Sequence, residues 1–142
     1  MNLKHVMKMK NNKTVFFDGV CNFCNVTVDF IWKRNKNRNL YYASLQSDIA
    51  KEKLIKRGIN NLKLRTVYFD DGYRVYQKSQ AIFMILTNLD GIFYPLLARI
   101  AFIIPRIIAD YLYDIISKNR YNILGKRDSC RIPSIEEEEY FL

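Results

Sequence analysis

Apolar and polar positions alternate in short blocks through the first half of the chain. Thr14-Val15-Phe16-Phe17 is a β-branched and aromatic run closed by Asp18-Gly19, which predicts a short buried strand and its turn. Over residues 22–33 the period lengthens. Val26, Phe30 and the positions beside Lys33 alternate with Asn25 and Asp29, which predicts a helix with an apolar face. A polar break at 35–39 precedes a second strand, Leu40-Tyr41-Tyr42-Ala43. Ser47-Asp48 then caps a helix running to about Arg57, closed by Gly58. Residues 64–69 and 73–76 are β-rich runs flanking Asp70-Asp71-Gly72, the pattern of a hairpin. Ser79 stands where an N-cap belongs, ahead of an apolar helix over 81–86. The predicted order is β-α-β-α-β-β-α. Two strands joined through a helix pair in parallel, and the hairpin adds an antiparallel edge. That order is what a thioredoxin-like α/β sheet requires.

The pattern then changes. Residues 92–116 are strongly apolar but interrupted by Arg99, Pro105, Arg106, Asp110 and Asp114. No stretch reaches the roughly 18 uninterrupted apolar residues of a spanning helix. On one helix, the charges at 99, 106, 110 and 114 would form a single polar stripe. Two readings fit: two packed helices broken near Pro105 that cap the sheet, or a face for an anionic membrane surface or a partner. Residues 119–133 read as polar and turn-rich, and Glu136 to Glu139 as a solvated terminal helix or tail. The predicted organisation is a flexible basic tail at 1–13, one α/β domain over 14–134 with a helical extension from about 92, and an acidic tail at 135–142.

Composition narrows the class. A chain of 142 residues with 49% hydrophobic and 14% aromatic content buries a proper core as one domain. Three cysteines are too few for a disulfide scaffold, and no signal-like apolar segment opens the chain, so a reducing, cytoplasmic setting is expected. The net charge of +9 is spread along the chain, with Lys33-Arg34, Lys36 and Arg38 the densest basic patch. No zinc-finger spacing, basic-region heptad or aromatic–glycine RNA motif accompanies it, and nucleic-acid binding is not expected.

The chemistry concentrates in Cys21-Asn22-Phe23-Cys24, placed where the first strand hands over to the first helix. Cys21 falls at the helix N-terminus, where unpaired amides and the dipole favour an anion. Thiols so placed drop from about 8.5 to roughly 3.5–7.5. Cys24, one turn in, is expected to be less exposed and to resolve the mixed disulfide that Cys21 forms with a substrate. Free cysteines are also common core residues. A metal site is a further alternative, since Cys21, Cys24, Cys130 and His5 supply four ligands in number. Asp18 is either a turn residue bonding nearby amides or a carboxylate exchanging a proton with Cys24. Cys130, between Arg127 and Arg131, is a third thiol in a setting that favours thiolate or an anionic substrate.

Asp18-Gly19-Val20-Cys21-Asn22-Phe23-Cys24 resembles the Asp-x-x-Cys-x-x-Cys signature of the DCC thiol-disulfide oxidoreductase family, also called DUF393. The likeness runs on through Leu45-Gln46-Ser47, Asp71-Gly72 with Val75-Tyr76, and Lys78-Ser79-Gln80-Ala81. It ends in Tyr113-Asp114, Asn119-Arg120-Tyr121 and the segment from Gly125 to Pro133. The resemblance implies a thioredoxin-like fold and disulfide reduction or exchange on a protein or small-molecule disulfide or thiol. It carries the defining residues onto Asp18, Cys21 and Cys24, and the C-terminal Cys-Arg pattern onto Cys130 and Arg131. No bound cofactor is implied, and reducing equivalents would come from a partner thiol system. Two departures stand out: Gln80 replaces a common Asp, and no proline precedes Val67, where thioredoxins present a cis-proline. A substrate peptide would then add to that strand edge through Thr66 backbone groups.

Overall fold

The computed structural model describes residues 13–126, 128 and 133–142. Strands β1 (Lys13–Phe17), β2 (Leu40–Ser44), β3 (Tyr68–Asp70) and β4 (Val75–Gln77) form one mixed sheet in the order β2-β1-β3-β4. β1 and β2 are parallel, with Val15 opposite Tyr42; β3 runs antiparallel to β1 and β4 antiparallel to β3. Five helices follow the same chain: α1 (Asn22–Arg34), α2 (Asp48–Lys56), α3 (Lys78–Thr87), α4 (Phe93–Ala101) and α5 (Arg106–Leu124). This is the expected thioredoxin-like α/β architecture with a helical C-terminal part.

The period of two in β1 divides the core. Val15 and Phe17 point to one side, where they pack with Val28, Ile31 and Trp32 of α1 and with Ala81 and Ile85 of α3. Phe16 points to the other, against Ala50 and Leu54 of α2. α5 forms an outer layer on α1 and α3.

The fold departs from the sequence reading in several local details. α1 buries Asn25, Val28, Ile31 and Trp32, whereas Val26 is 57% exposed. The helix is rotated because the Asn25 side-chain NH2 donates to the carbonyls of Gly19 and Cys21, both at 2.9 Å, which draws this polar side chain inside. Ser47 caps α2 as expected, accepting from the Ala50 amide at 3.2 Å. Ser79 does not cap α3: the helix begins at Lys78, and the Ser79 hydroxyl donates instead to Asp110 of α5. The hairpin strands are shorter than predicted, and residues 64–67 form a connection. The Thr66 amide is already bonded to the Lys63 carbonyl at 3.1 Å, and the Val67 amide to the Tyr113 hydroxyl at 2.8 Å. Those donors are therefore not free for an added peptide strand.

The break at Pro105 is where the sequence places it, but Arg99 and Arg106 lie on different helices and no single polar stripe forms. Arg106 pairs with Asp110 at 3.5 Å, and Asp114 pairs with Lys78 at 3.1 Å. α5 also runs on to Leu124, through residues read as loop. The acidic tail is not simply solvated. Glu137 is buried, Tyr140 and Phe141 pack on the core, and the Leu142 amide donates to the Tyr42 carbonyl at 2.7 Å. None of the described helices is long and apolar enough to cross a membrane.

Candidate active site

The strand-to-helix junction brings Asp18, Cys21 and Cys24 together. After β1 the chain turns through Asp18-Gly19-Val20, and the Cys21 amide donates to the Asp18 carbonyl at 3.3 Å. Cys21 has extended backbone geometry and caps α1: its sulfur accepts the Cys24 amide at 3.3 Å. One sulfur thus occupies the position where a helix start offers unpaired N–H groups. Both thiols are free.

The exposure of the two is the reverse of the sequence expectation. Cys21 is fully buried, and Cys24 is half-buried. The reason is the segment following α5. Gly125 and Lys126 cross the start of α1, where the Asn22 amide donates to the Gly125 carbonyl at 3.2 Å and Lys126 bridges Cys21 in antiparallel fashion. The Asn22 side chain adds a bond to the Leu124 carbonyl at 2.9 Å. Cys24 instead lines a mostly apolar cleft of about 80 Å³. Its walls come from α1 (Phe23, Thr27), the 64–67 connection, α3 (Ile82, Ile85) and α5 (Tyr113, Ile116). α5 holds the connection in place. The Tyr113 hydroxyl takes the Val67 amide and donates to the Arg65 carbonyl at 3.2 Å, and the Ser117 hydroxyl donates to the same carbonyl at 2.6 Å.

Asp18 is the centre of a buried polar network. Its Oδ2 accepts from Arg120 Nη2 at 2.8 Å and from the Tyr121 hydroxyl at 2.6 Å. Its Oδ1 accepts from Gln46 Nε2 at 2.6 Å and from the Val20 amide at 3.2 Å. Gln46 is itself fixed, because its Oε1 accepts the Gly19 amide and the Ser44 hydroxyl. Burial pushes the Asp18 carboxyl up, but the bonds from Arg120, Tyr121, Gln46 and Val20 outweigh it and hold it below its usual range. Asp18 is therefore an ionised carboxylate. Cys24 moves the other way. Burial, its contact with Cys21 and the nearby charge of Asp18 push its thiol well above the ordinary range, with Arg120 opposing weakly.

Arg120, Tyr121 and Gln46 are the site residues that reasoning on chemistry alone did not single out. The available signal was their presence in the Leu45-Gln46-Ser47 and Asn119-Arg120-Tyr121 segments that carry the family likeness. Cys130, Arg127, Arg131 and His5 lie outside the described residues. Among the described residues, no group of three or more His, Cys, Asp or Glu is arranged to hold a metal.

A protein-family model described as DCC1-like thiol-disulfide oxidoreductase matches residues 15–126. The chain is 35% identical to the uncharacterized protein YuxK of Bacillus subtilis (strain 168) over 131 residues, covering 92% of this chain and 94% of that protein. It is also 35% identical to the DCC family protein At1g52590, chloroplastic, of Arabidopsis thaliana over 118 residues, covering 83% of this chain and 68% of that protein. No solved structure matches the chain significantly.

Proposed function

Because the chain belongs to the DCC1-like thiol-disulfide oxidoreductase family, we propose that Cys21 and Cys24 are its redox pair and that it exchanges or reduces disulfides. The observation that carries this reading is the bond from the Cys24 amide to the Cys21 sulfur at the first turn of α1. It sets the two thiols on one helix turn, with the Cys24 amide aimed at the Cys21 sulfur.

The division of labour follows from Cys24. Its thiol keeps its proton, because burial, Cys21 and the Asp18 carboxylate all disfavour the anion. Cys21 is then the nucleophile. Its thiolate attacks one sulfur of a substrate disulfide, a bond forms between Cys21 and that sulfur, and the other sulfur leaves as a thiolate. The leaving thiolate takes up a proton. The Cys24 sulfur then attacks the Cys21 sulfur, closing the Cys21–Cys24 disulfide, and its proton passes to the expelled substrate sulfur, which leaves as the second thiol. The substrate gains two electrons and the pair loses two; an external thiol returns them. The apolar cleft beside Cys24 receives the group carried by the substrate sulfur, and the Gly125–Lys126 segment moves off Cys21 to admit it.

Asp18 acts in this scheme as a fixed charge. A carboxylate held below its usual range by four donors is a poor proton acceptor, so tuning of Cys24 is favoured over proton shuttling.

The test is reduction of insulin disulfides by the wild type, Cys21→Ser and Cys24→Ser with dithiothreitol as reductant. The wild type turns over, Cys21→Ser falls to the uncatalysed rate, and Cys24→Ser, mixed with insulin before any reductant is added, accumulates a mixed disulfide. Equal rates in wild type and Cys21→Ser would end the catalytic reading.

A further inference from the structure

The α4–α5 hairpin presents its apolar side outward. α4 buries only Ala98, while Phe93, Leu96 and Ile100, spaced three and four apart, face solvent. The side continues through the turn at Ile103, 81% exposed, and onto α5 at Ile107, 86% exposed. An apolar surface of this extent on a folded chain marks an interaction site.

We propose that this hairpin docks the protein on the surface of an anionic lipid bilayer, with its apolar side in the headgroup–acyl boundary. The proposal does not depend on the cysteine chemistry. Three observations select lipid as the occupant. The connection between the helices, Phe102-Ile103-Ile104-Pro105, contains no polar side chain, whereas a connection facing water is ordinarily polar. Lipid takes up such a turn together with the helices that flank it, while neither helix crosses the bilayer.

Charge is the second. Arg99 and Arg106 bracket the turn and are exposed; the acids of the hairpin are engaged, Asp114 with Lys78, and Asp110 with Ser79 as well as Arg106. With a net charge of +9 on the whole chain, the surface suits anionic headgroups. The third is symmetry. A second copy docked through a twofold axis would set the same patch against itself and bring the exposed arginines toward each other without free acids to receive them.

The experiment is flotation of the full chain with vesicles of phosphatidylcholine alone or mixed with phosphatidylglycerol, at about 0.15 M ionic strength. The protein floats with the mixed vesicles and less with the neutral ones. The double variant Ile103→Asp/Ile107→Asp lowers the partition coefficient by about a hundredfold or more, from the loss of two buried isoleucines. Both positions are solvent-facing, so its melting temperature stays near that of the wild type. As a second readout, the indole introduced by Ile103→Trp is quenched by brominated lipid, while Trp32, in the core, is not. The proposal is overturned by failure to float with the mixed vesicles, or by flotation unmoved in the double variant. It is equally overturned by a concentration-dependent dimer that the double variant abolishes, with no quenching of the Ile103→Trp indole.

Discussion

Replacing Arg120 by methionine removes the only formal cation bonded to the Asp18 carboxylate among the described residues and keeps most of the side-chain volume. Asp18 is 2% exposed and Arg120 is 4% exposed, so solvent does not screen the pair. Taking one partner from such a pair costs about 3–5 kcal/mol, because a buried charge is left uncompensated. Asp18 keeps the Tyr121, Gln46 and Val20 donors, which places the expected loss at the lower end, about 3 kcal/mol at neutral pH. Against a total of about 5–15 kcal/mol that is a large fraction, and the melting midpoint should fall by roughly 10 °C.

The pH dependence separates this account from a packing defect. In the wild type the folded Asp18 carboxyl lies below its unfolded value of 3.8. Its contribution is therefore present above that pH and is lost as the pH falls through the folded value. In Arg120→Met, burial faces weaker opposition and the carboxyl moves up. A raised carboxyl reverses the sign: it favours the fold below the unfolded value and loses that advantage as the pH rises through the folded one. The stability gap between wild type and variant should thus narrow as the pH falls toward and through the folded value of Asp18 and widen toward pH 7. The assay is urea unfolding at a series of pH values for wild type, Arg120→Met, Asp18→Asn and the double variant. A gap that does not change with pH, or a coupling between the two substitutions below about 0.5 kcal/mol, would refute the buried ion pair as the anchor of the site.

Three further outcomes are expected. Asp18→Asn removes one of the influences that, after burial and Cys21, hold the Cys24 thiol up, so the pH profile of Cys24 alkylation should move to lower pH; an unchanged profile would remove Asp18 as a tuning charge. Gly125 has φ 87° and ψ 180°, a region essentially confined to glycine. Gly125→Ala should cost about 1–3 kcal/mol and speed iodoacetamide labelling of Cys21 in a Cys24→Ser background, because the strained turn no longer lies closely over that sulfur. Tyr113→Phe deletes the hydroxyl that bonds Val67 and Arg65; a loss of about 1–2 kcal/mol and faster hydrogen exchange at the Val67 amide would report it, and unchanged exchange would show that the connection is held otherwise.

What could be read in the sequence, and what could not, divides by the range of the interactions. The order of elements along the chain was legible because each carries its own signal: Val15 and Phe17 against Phe16 in β1, and Asp71-Gly72 between β3 and β4. The proximity of Cys21 and Cys24 was legible for the same reason, since three residues on a helix start fix their separation. Asp18 was legible as a candidate but its state was not, because that state is set by Arg120, 102 residues away. Asn119 to Leu124 reads as loop on polarity, yet it is helix: Arg120 is buried against Asp18 and Tyr121 bonds the same carboxylate. A polar side chain with a buried partner looks, in sequence, like one that faces water. Ser79 and Asn25 mislead in the same way, one taken from a capping role by Asp110 and the other turned inward by two carbonyls. The exposure of the cysteines is the sharpest case. Helix position alone puts Cys21 outside and Cys24 inside; the return of the chain at Gly125 and Lys126 covers the first, and the packing of α3 and α5 opens the cleft beside the second. A segment a hundred residues after the helix start thus sets which of the two thiols is covered and which lines a cleft.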